Sequence, residues 1–182
     1  METIQSISDI FNFHLSRSGN CFSLHMPFNV ANKDDQKKYK HFLERADKNK
    51  VLKKLPNLHE EAFKKIDCLS CASCCKNYSP RFKTPDVKRI SKHLAMKESE
   101  FIDTYLIVDE DGDFVVRSTP CPFLGVDNFC SIYEVRPSDC VRFPYTDEDV
   151  LIKRQKLTLK NASFCPIVYH VLDRLSEVNL KV

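Results

Sequence analysis

Apolar residues recur along this chain mostly at helical spacing, and the pattern predicts an α+β fold of mostly short α-helices with one β-hairpin. In "DDQKKYKHFLERADKNKVLKKL", Tyr39, Phe42, Leu43 and Ala46 share one helical face. Pro56 is expected to break that helix, and "NLHEEAFKKI" to resume as a second one with Asn57 as its cap. Thr84 is placed to cap "TPDVKRISKHLAM", Pro85 suits the first helical position, and Val87, Ile90 and Leu94 follow at helical spacing. "KESEFIDTYL" predicts another short helix with Phe101, Ile102, Tyr105 and Leu106 turned inward. "LIVDEDGDFVVRS" predicts the hairpin, with Asp111-Gly112 at the turn and a charged, exposed tip. A last helix beginning at Pro166 carries Val168, Val171, Leu172, Leu175 and Val178 on one core-facing stripe. Between Cys121 and Cys165 periodic segments are few, which fits irregular, metal-stapled loops around a cysteine cluster.

Nine cysteines stand in the chain, and all but Cys21 follow residue 67. In "CLSCASCC", Cys68, Cys71 and Cys74 are each three apart, and Cys75 adjoins the last. A CxxC turn lets two sulfurs converge on one ion, and zinc sites reuse it for that reason. Bacterial ferredoxins place three corners of an iron–sulfur cluster at the same spacing and add a cysteine followed by proline. Cys121-Pro122 and Cys165-Pro166 both have that form. Adjacent side chains usually point in different directions, so the Cys74-Cys75 doublet suits a chain passing between two sites. With Cys121, Cys130, Cys140 and Cys165 the set reaches eight sulfurs, enough for two sets of four thiolates, and Cys21 is left over as an ordinary thiol. One centre with additional free or redox-active thiols is the alternative. Soft sulfur donors select zinc, copper(I) or iron–sulfur clusters and disfavour magnesium or calcium. Lys65, Lys76, Arg81, Arg136 and Arg142 lie close in sequence to balance the negative charge of such centres.

A chain of 182 residues holds one domain, or one with an appendage. Residues 1–66 read as a helical, lysine-rich N-terminal extension packing on the core, and residues 67–182 as a cysteine-cluster metal-binding domain. Between residues 33 and 66, eleven Lys or Arg face six Asp or Glu, and the interspersed acids make this a solvated amphipathic surface before a nucleic-acid one. The net charge of +3, of mixed signs, gives nucleic acid no further support. None of the three glycines sits in a phosphate-binding loop, so a nucleotide-binding reading has no basis. No apolar run is long enough to span a membrane, and the acidic, polar start of the chain lacks the pattern of a signal peptide. A cytoplasmic location is therefore expected, where thiols stay reduced and serve metal binding or catalysis. His14, His25, His41, His59, His93 and His170 match no zinc-finger spacing and are read as non-ligands, with His170, five residues after Cys165, the nearest candidate. Tyr133, Glu134 and Arg136 are expected to pack and hydrogen-bond around the loop that carries Cys140.

"CLSCASCC", followed by "CPFLGVDNFCSIYEVRPSDCVRFPY" and "SFCP", resembles the CxxCxxCC family of zinc- or iron-chelating domains, also called YkgJ-like, over residues 68 to 166. The resemblance assigns Cys68, Cys71, Cys74, Cys75, Cys121, Cys130, Cys140 and Cys165 to the family's zinc- or iron-chelating cysteine cluster, in one or two all-thiolate centres, and the ferredoxin-like spacing keeps a 4Fe–4S cluster among the candidates. The sequence departs from the family where Val141 stands between Cys140 and Arg142, a position at which many members carry arginine. Metal ions are the partners this implies, with room for a protein partner and with nucleic acid and membrane disfavoured. The expected function is that of a metal-binding module with all-thiolate centres, for binding, storage or electron carriage. The alternative is a cluster-dependent enzyme such as a methyltransferase, because a similar domain occurs in flagellin lysine N-methylases. Glycine poverty leaves no recognisable S-adenosylmethionine loop to support it.

Overall fold

The structure is a computed structural model and describes residues 28–178, so Cys21, His14 and His25 lie outside the described residues. Asn32 opens helix α1 (Lys33–Arg45): its side chain accepts from the Asp34 and Asp35 N–H groups, and the Asp35 carboxylate accepts from the Asn32 N–H in return. α1 stops at Ala46. Asp47 then caps α2 (Lys48–Lys65), accepting from the Asn49 and Lys50 N–H groups. The break expected at Pro56 is therefore displaced to Ala46-Asp47, and Asn57 lies inside α2 rather than at its start. Pro56 is exposed, so water can take the place of the hydrogen bond it cannot donate.

There are two hydrophobic cores among the described residues, and this helical pair belongs to the first. The first core joins Tyr39 and Leu43 of α1, Val51, Leu55 and Ala62 of α2, and Ile167, Val168, Val171, Leu172 and Leu175 of α10 (Pro166–Glu177). Short helices α8 (Val150–Lys153) and α9 (Gln155–Ala162) complete this helical lobe through Leu151, Ile152 and Ala162. Val178 departs from the expected stripe: it caps α10 in an extended conformation and is 39% exposed.

The second core is smaller and more aromatic. Phe82, Val87, Ile90, Phe101, Leu106, Val116, Phe123 and Ile132 are buried together. They come from α5 (Thr84–His93), α6 (Glu98–Tyr105) and an antiparallel sheet in the order β1-β3-β2. Strands β2 (Leu106–Val108) and β3 (Phe114–Val116) form the hairpin in the register Leu106↔Val116. Asp109 organises its turn by accepting from the Asp111 and Asp113 N–H groups, and Gly112 takes φ +81° there. A third strand, β1 (Arg81–Phe82), pairs with β3 and is too short to show in a residue pattern. At α5 the cap falls one residue earlier than expected: Thr84 is the first helical residue, and the Asp86 carboxylate takes the Lys83 N–H at 3.1 Å.

Candidate metal centre

The cysteine run is built from two single turns of helix joined at a strained residue. Asp67 caps α3 (Cys68–Cys71) by accepting from the Leu69 and Ser70 N–H groups. Ala72 then adopts φ +45°, a left-handed conformation that costs a residue with a Cβ roughly 1–2 kcal/mol. Its N–H donates to the Cys68 carbonyl at 2.8 Å, and α4 (Ser73–Asn77) starts in a new direction. Cys68 and Cys71 flank the first turn, while Cys74 and Cys75 stand in the second. Their sulfurs lie 3.8 Å apart, so the doublet does not diverge as its adjacency led one to expect, because both side chains turn to the same cavity wall.

Backbone hydrogen bonds bring the distant cysteines to this run. The Cys121 N–H donates to the Cys75 carbonyl at 2.8 Å. Cys121 and Cys130 close one small loop, held by the Leu124 N–H on the Cys121 carbonyl at 3.0 Å and a bridge between Leu124 and Cys130. From the other side, Ser73 Oγ donates to the Phe164 carbonyl at 2.7 Å, which seats Cys165 beside the start of α4. Cys140 sits in α7 (Ser138–Arg142), next to a buried Asp139 that lies 3.6 Å from Arg81 Nε. Asp86 fixes that short helix: its carboxylate, also paired with Arg89, accepts the Ser138 N–H at 3.1 Å and the Ser138 hydroxyl at 3.0 Å.

An aromatic triad stands beside the cysteines, and two of its members, Tyr78 and Phe143, share the cavity wall with them. Tyr78, Phe143 and Phe164 stack pairwise with ring centroids 5.5–6.0 Å apart. Each lies within three residues of a cysteine, Cys75, Cys140 and Cys165 respectively, so the stack ties three cysteine-bearing segments together. Linear spacing gave no hint of this triad or of the Asp86–Ser138 link; the only sequence signal was an aromatic residue close to each of these cysteines.

Cys68, Cys71, Cys74, Cys75, Cys121, Cys130, Cys140 and Cys165 all line a single cavity of about 510 Å³. All are free thiols. As the side chains stand, no three His, Cys, Asp or Glu among the described residues converge on one point as an ion cage; the sulfurs are spread over the cavity wall. Among the described histidines, His59 alone reaches that wall, and its Nδ1 lies 2.9 Å from Thr146 Oγ1. His170 is 3.4 Å from Glu61 and lines no part of the cavity. Asp147 and Glu148 sit on the lining, with Glu148 paired to Arg142. Arg136 also lines it, with its guanidinium 3.9 Å from the centroid of the Tyr133 ring and a hydrogen bond to the Tyr133 carbonyl, while Glu134 is exposed. A donor set this rich in sulfur fits zinc or iron and does not fit a hard cation.

Burial keeps most of these thiols protonated in the absence of a positive charge. It pushes Cys68 and Cys121 up to about 11 and Cys165 to about 12, and it raises Cys140 further. The doublet is different. A hydrogen bond from Cys74, helped by the nearby Lys76, draws Cys75 down to about 7, and the same bond raises Cys74. Backbone N–H groups of Ile167 and Val168, in the first turn of α10, aim at the Cys165 sulfur and favour its thiolate. A metal entering here must displace protons, so its affinity rises with pH.

The "putative zinc- or iron-chelating domain" named for its CxxCxxCC pattern matches residues 67–166, more than half of the chain. This protein belongs to the CxxCxxCC family. No curated protein and no solved structure matches it. The CxxCxxCC match begins at Asp67, the cap of α3, and ends at Pro166, the first residue of α10. It thus spans every cavity-lining cysteine, while α1, α2 and all of α10 but its first residue fall outside it.

Proposed function

We propose that this CxxCxxCC protein is a metal-binding module that holds zinc or iron through eight cysteine thiolates in two all-sulfur centres. The observation that carries the reading is that cysteines nearly a hundred residues apart in sequence line one cavity together. Their number supports two complete sets of four, and no histidine or carboxylate is needed to finish either. A closed four-thiolate site leaves no coordination position for substrate, which favours binding, storage or electron carriage over Lewis-acid catalysis. Among the described residues no helix is long and apolar enough to cross a membrane.

The test is the metal and acid-labile sulfide content of full-length protein purified without air, read with its visible absorption spectrum. Two zinc ions per chain, colourless, support stapling centres. Iron with equimolar sulfide and a broad visible band supports electron-carrying centres and reopens the alternative of a cluster-dependent methyltransferase. Protein that neither retains metal nor takes it up on reconstitution overturns the reading.

A further inference from the structure

Resting on the two-centre reading above, the geometry assigns each cysteine to its centre: we infer that Cys68, Cys71, Cys74 and Cys165 hold one metal centre, and Cys75, Cys121, Cys130 and Cys140 hold the other. The doublet is the point of division. Its first member belongs to the helical lobe and its second to the sheet lobe.

Three features together give the partition: hydrogen bonding joins Cys74 to Cys165 and Cys75 to Cys121 and Cys130, packing separates Cys165 from Cys121 and Cys130, and the proximity of the sulfurs places Cys68, Cys71 and Cys140. Hydrogen bonding is the first. Ser73, immediately before Cys74, is tied to Phe164, immediately before Cys165, at 2.7 Å. Cys75 is tied through its own carbonyl to the Cys121 N–H at 2.8 Å, and Cys121 to Cys130 through Leu124. The second is packing. Cys165 is a buried member of the helical core, whereas Cys121 and Cys130 pack against the aromatic core of the sheet lobe. The third is which thiols sit close enough to feel one another's charge. Cys165 feels Cys68 and Cys71, and Cys74 feels Cys165 and Cys68. Cys140 feels Cys75, Cys121 and Cys130, and Cys121 feels Cys75 and Cys130. The pairs that cross between the sets meet at Cys75, with Cys68 and Cys74 opposite it. Cys75 is where the chain passes from one set to the other.

The surroundings of the two sets differ in charge. Lys76 lies beside Cys75 and Arg136 beside Cys130, so the second set has two cations, with Asp139 beside Cys140 opposing them and the Phe123 and Ile132 N–H groups favouring the Cys121 and Cys130 thiolates. In the first, Asp67 lies beside Cys68 and opposes a negative centre, and the N–H groups at the start of α10 supply the compensation at Cys165. Each set thus has one acidic neighbour and backbone N–H compensation, and the two cations at the second set are the difference that should make the centres release metal at different rates.

The partition is tested by metal content in full-length single and double variants. Cys71→Ser, Cys74→Ser, Cys75→Ser and Cys130→Ser are each expected to halve the metal bound. The same-set double Cys71→Ser/Cys74→Ser is expected to keep the remaining half, and the cross-set double Cys71→Ser/Cys130→Ser to lose essentially all of it. A same-set double that loses everything, or a cross-set double that keeps half, overturns the assignment. Wild-type protein gives a second readout that needs no variant to fold. Metal is partly withdrawn with a chelator, the exposed thiols are alkylated, and the labelled peptides are identified by mass spectrometry. Label appearing together on Cys75, Cys121, Cys130 and Cys140, or together on Cys68, Cys71, Cys74 and Cys165, upholds the partition. Any other grouping overturns it while leaving metal binding itself intact. Absence of metal from the wild type removes the underlying reading instead.

Discussion

The helical lobe and the sheet lobe are stabilised by different physics. In the helical lobe, α1, α2 and α10 are 13, 18 and 12 residues long and bury periodic aliphatic stripes against one another. In the sheet lobe no strand exceeds 3 residues, and the core relies on Phe82, Phe101, Tyr105 and Phe123 in mutual ring contact. The segment from Cys121 to Cys140 adds only a single 3₁₀ turn, Tyr133–Val135, and the five-residue α7. Local helix formation with a long apolar stripe suffices for the first lobe; the second lacks that source of cooperativity and has cysteines where a core would otherwise continue. The comparison teaches where a metal centre would have to stand in for secondary structure.

Metal removal gives the largest expected effect and breaks the comparison most directly. A structural zinc contributes ~10–16 kcal/mol apparent in small zinc-dependent folds, as large as the ~5–15 kcal/mol net stability of a whole domain. Stripping metal under reducing conditions should expose the amides of residues 121–142 to hydrogen exchange, while the interior of α2 and α10 stays protected. Equal loss of protection in both lobes would show that they form one cooperative unit. Next come the cores themselves. Phe101→Ala should cost about 3–5 kcal/mol, and Leu172→Ala about 2–5 kcal/mol, since both side chains are fully buried. Phe101→Ala is expected to loosen the 121–142 segment and lower metal retention, with the helical lobe unchanged. Leu172→Ala is expected to loosen the helical lobe and the centre that includes Cys165, with the 121–142 segment unchanged, and denaturant unfolding read by exchange at each lobe distinguishes the two.

The same contrast decides what could be read in the sequence. Helices long enough to repeat their pattern were legible: Val168, Val171, Leu172 and Leu175 declared α10, and Val87 and Ile90 declared α5. The hairpin was legible because Asp111-Gly112 sits between two apolar runs. β1 was not, because two residues carry no period. Pro56 misled because its effect depends on whether its side of the helix is wet, a tertiary property. At the site, residue type named the cysteines that line the cavity, but their arrangement depends on contacts such as Ser73 to Phe164 and Cys121 to Cys75, which span tens of residues. Asp86 was invisible for the same reason: it looks like a first-turn helix acid, yet it reaches across to Ser138.

Asp86 offers a smaller and pH-dependent probe of the sheet lobe. Burial raises its pKa, but Arg89, the Lys83 and Ser138 N–H groups and the Ser138 hydroxyl outweigh that and leave it below the ordinary carboxylate value. A depressed folded-state pKa means a contribution fully present above the unfolded pKa of about 3.9 and lost as pH falls through the folded value. Asp86→Asn should therefore cost about 1.5–3 kcal/mol at neutral pH, the usual worth of a hydrogen bond to a charged group. The gap to wild type should stay constant down to about pH 5 and close in stronger acid. A gap that persists unchanged in strong acid, followed by denaturant titration, would show that the charge of Asp86 plays no part.

The smallest effect tests the helical lobe at the break between α1 and α2. Asp47→Ala removes the acceptor for the Asn49 and Lys50 N–H groups, at an expected cost of about 1 kcal/mol. The loss should appear as faster exchange in the first turn of α2 and nowhere in the sheet lobe. Metal content should not change, because the cap lies a full helix away from Cys68. If Asp47→Ala did lower metal retention, α2 would be positioning the cysteine run through Ile66 and Asp67, and the two lobes would be coupled along the backbone. An unchanged metal content with a weakened α2 would instead mean that the Asp67 cap and the left-handed turn at Ala72 set the direction of the run locally.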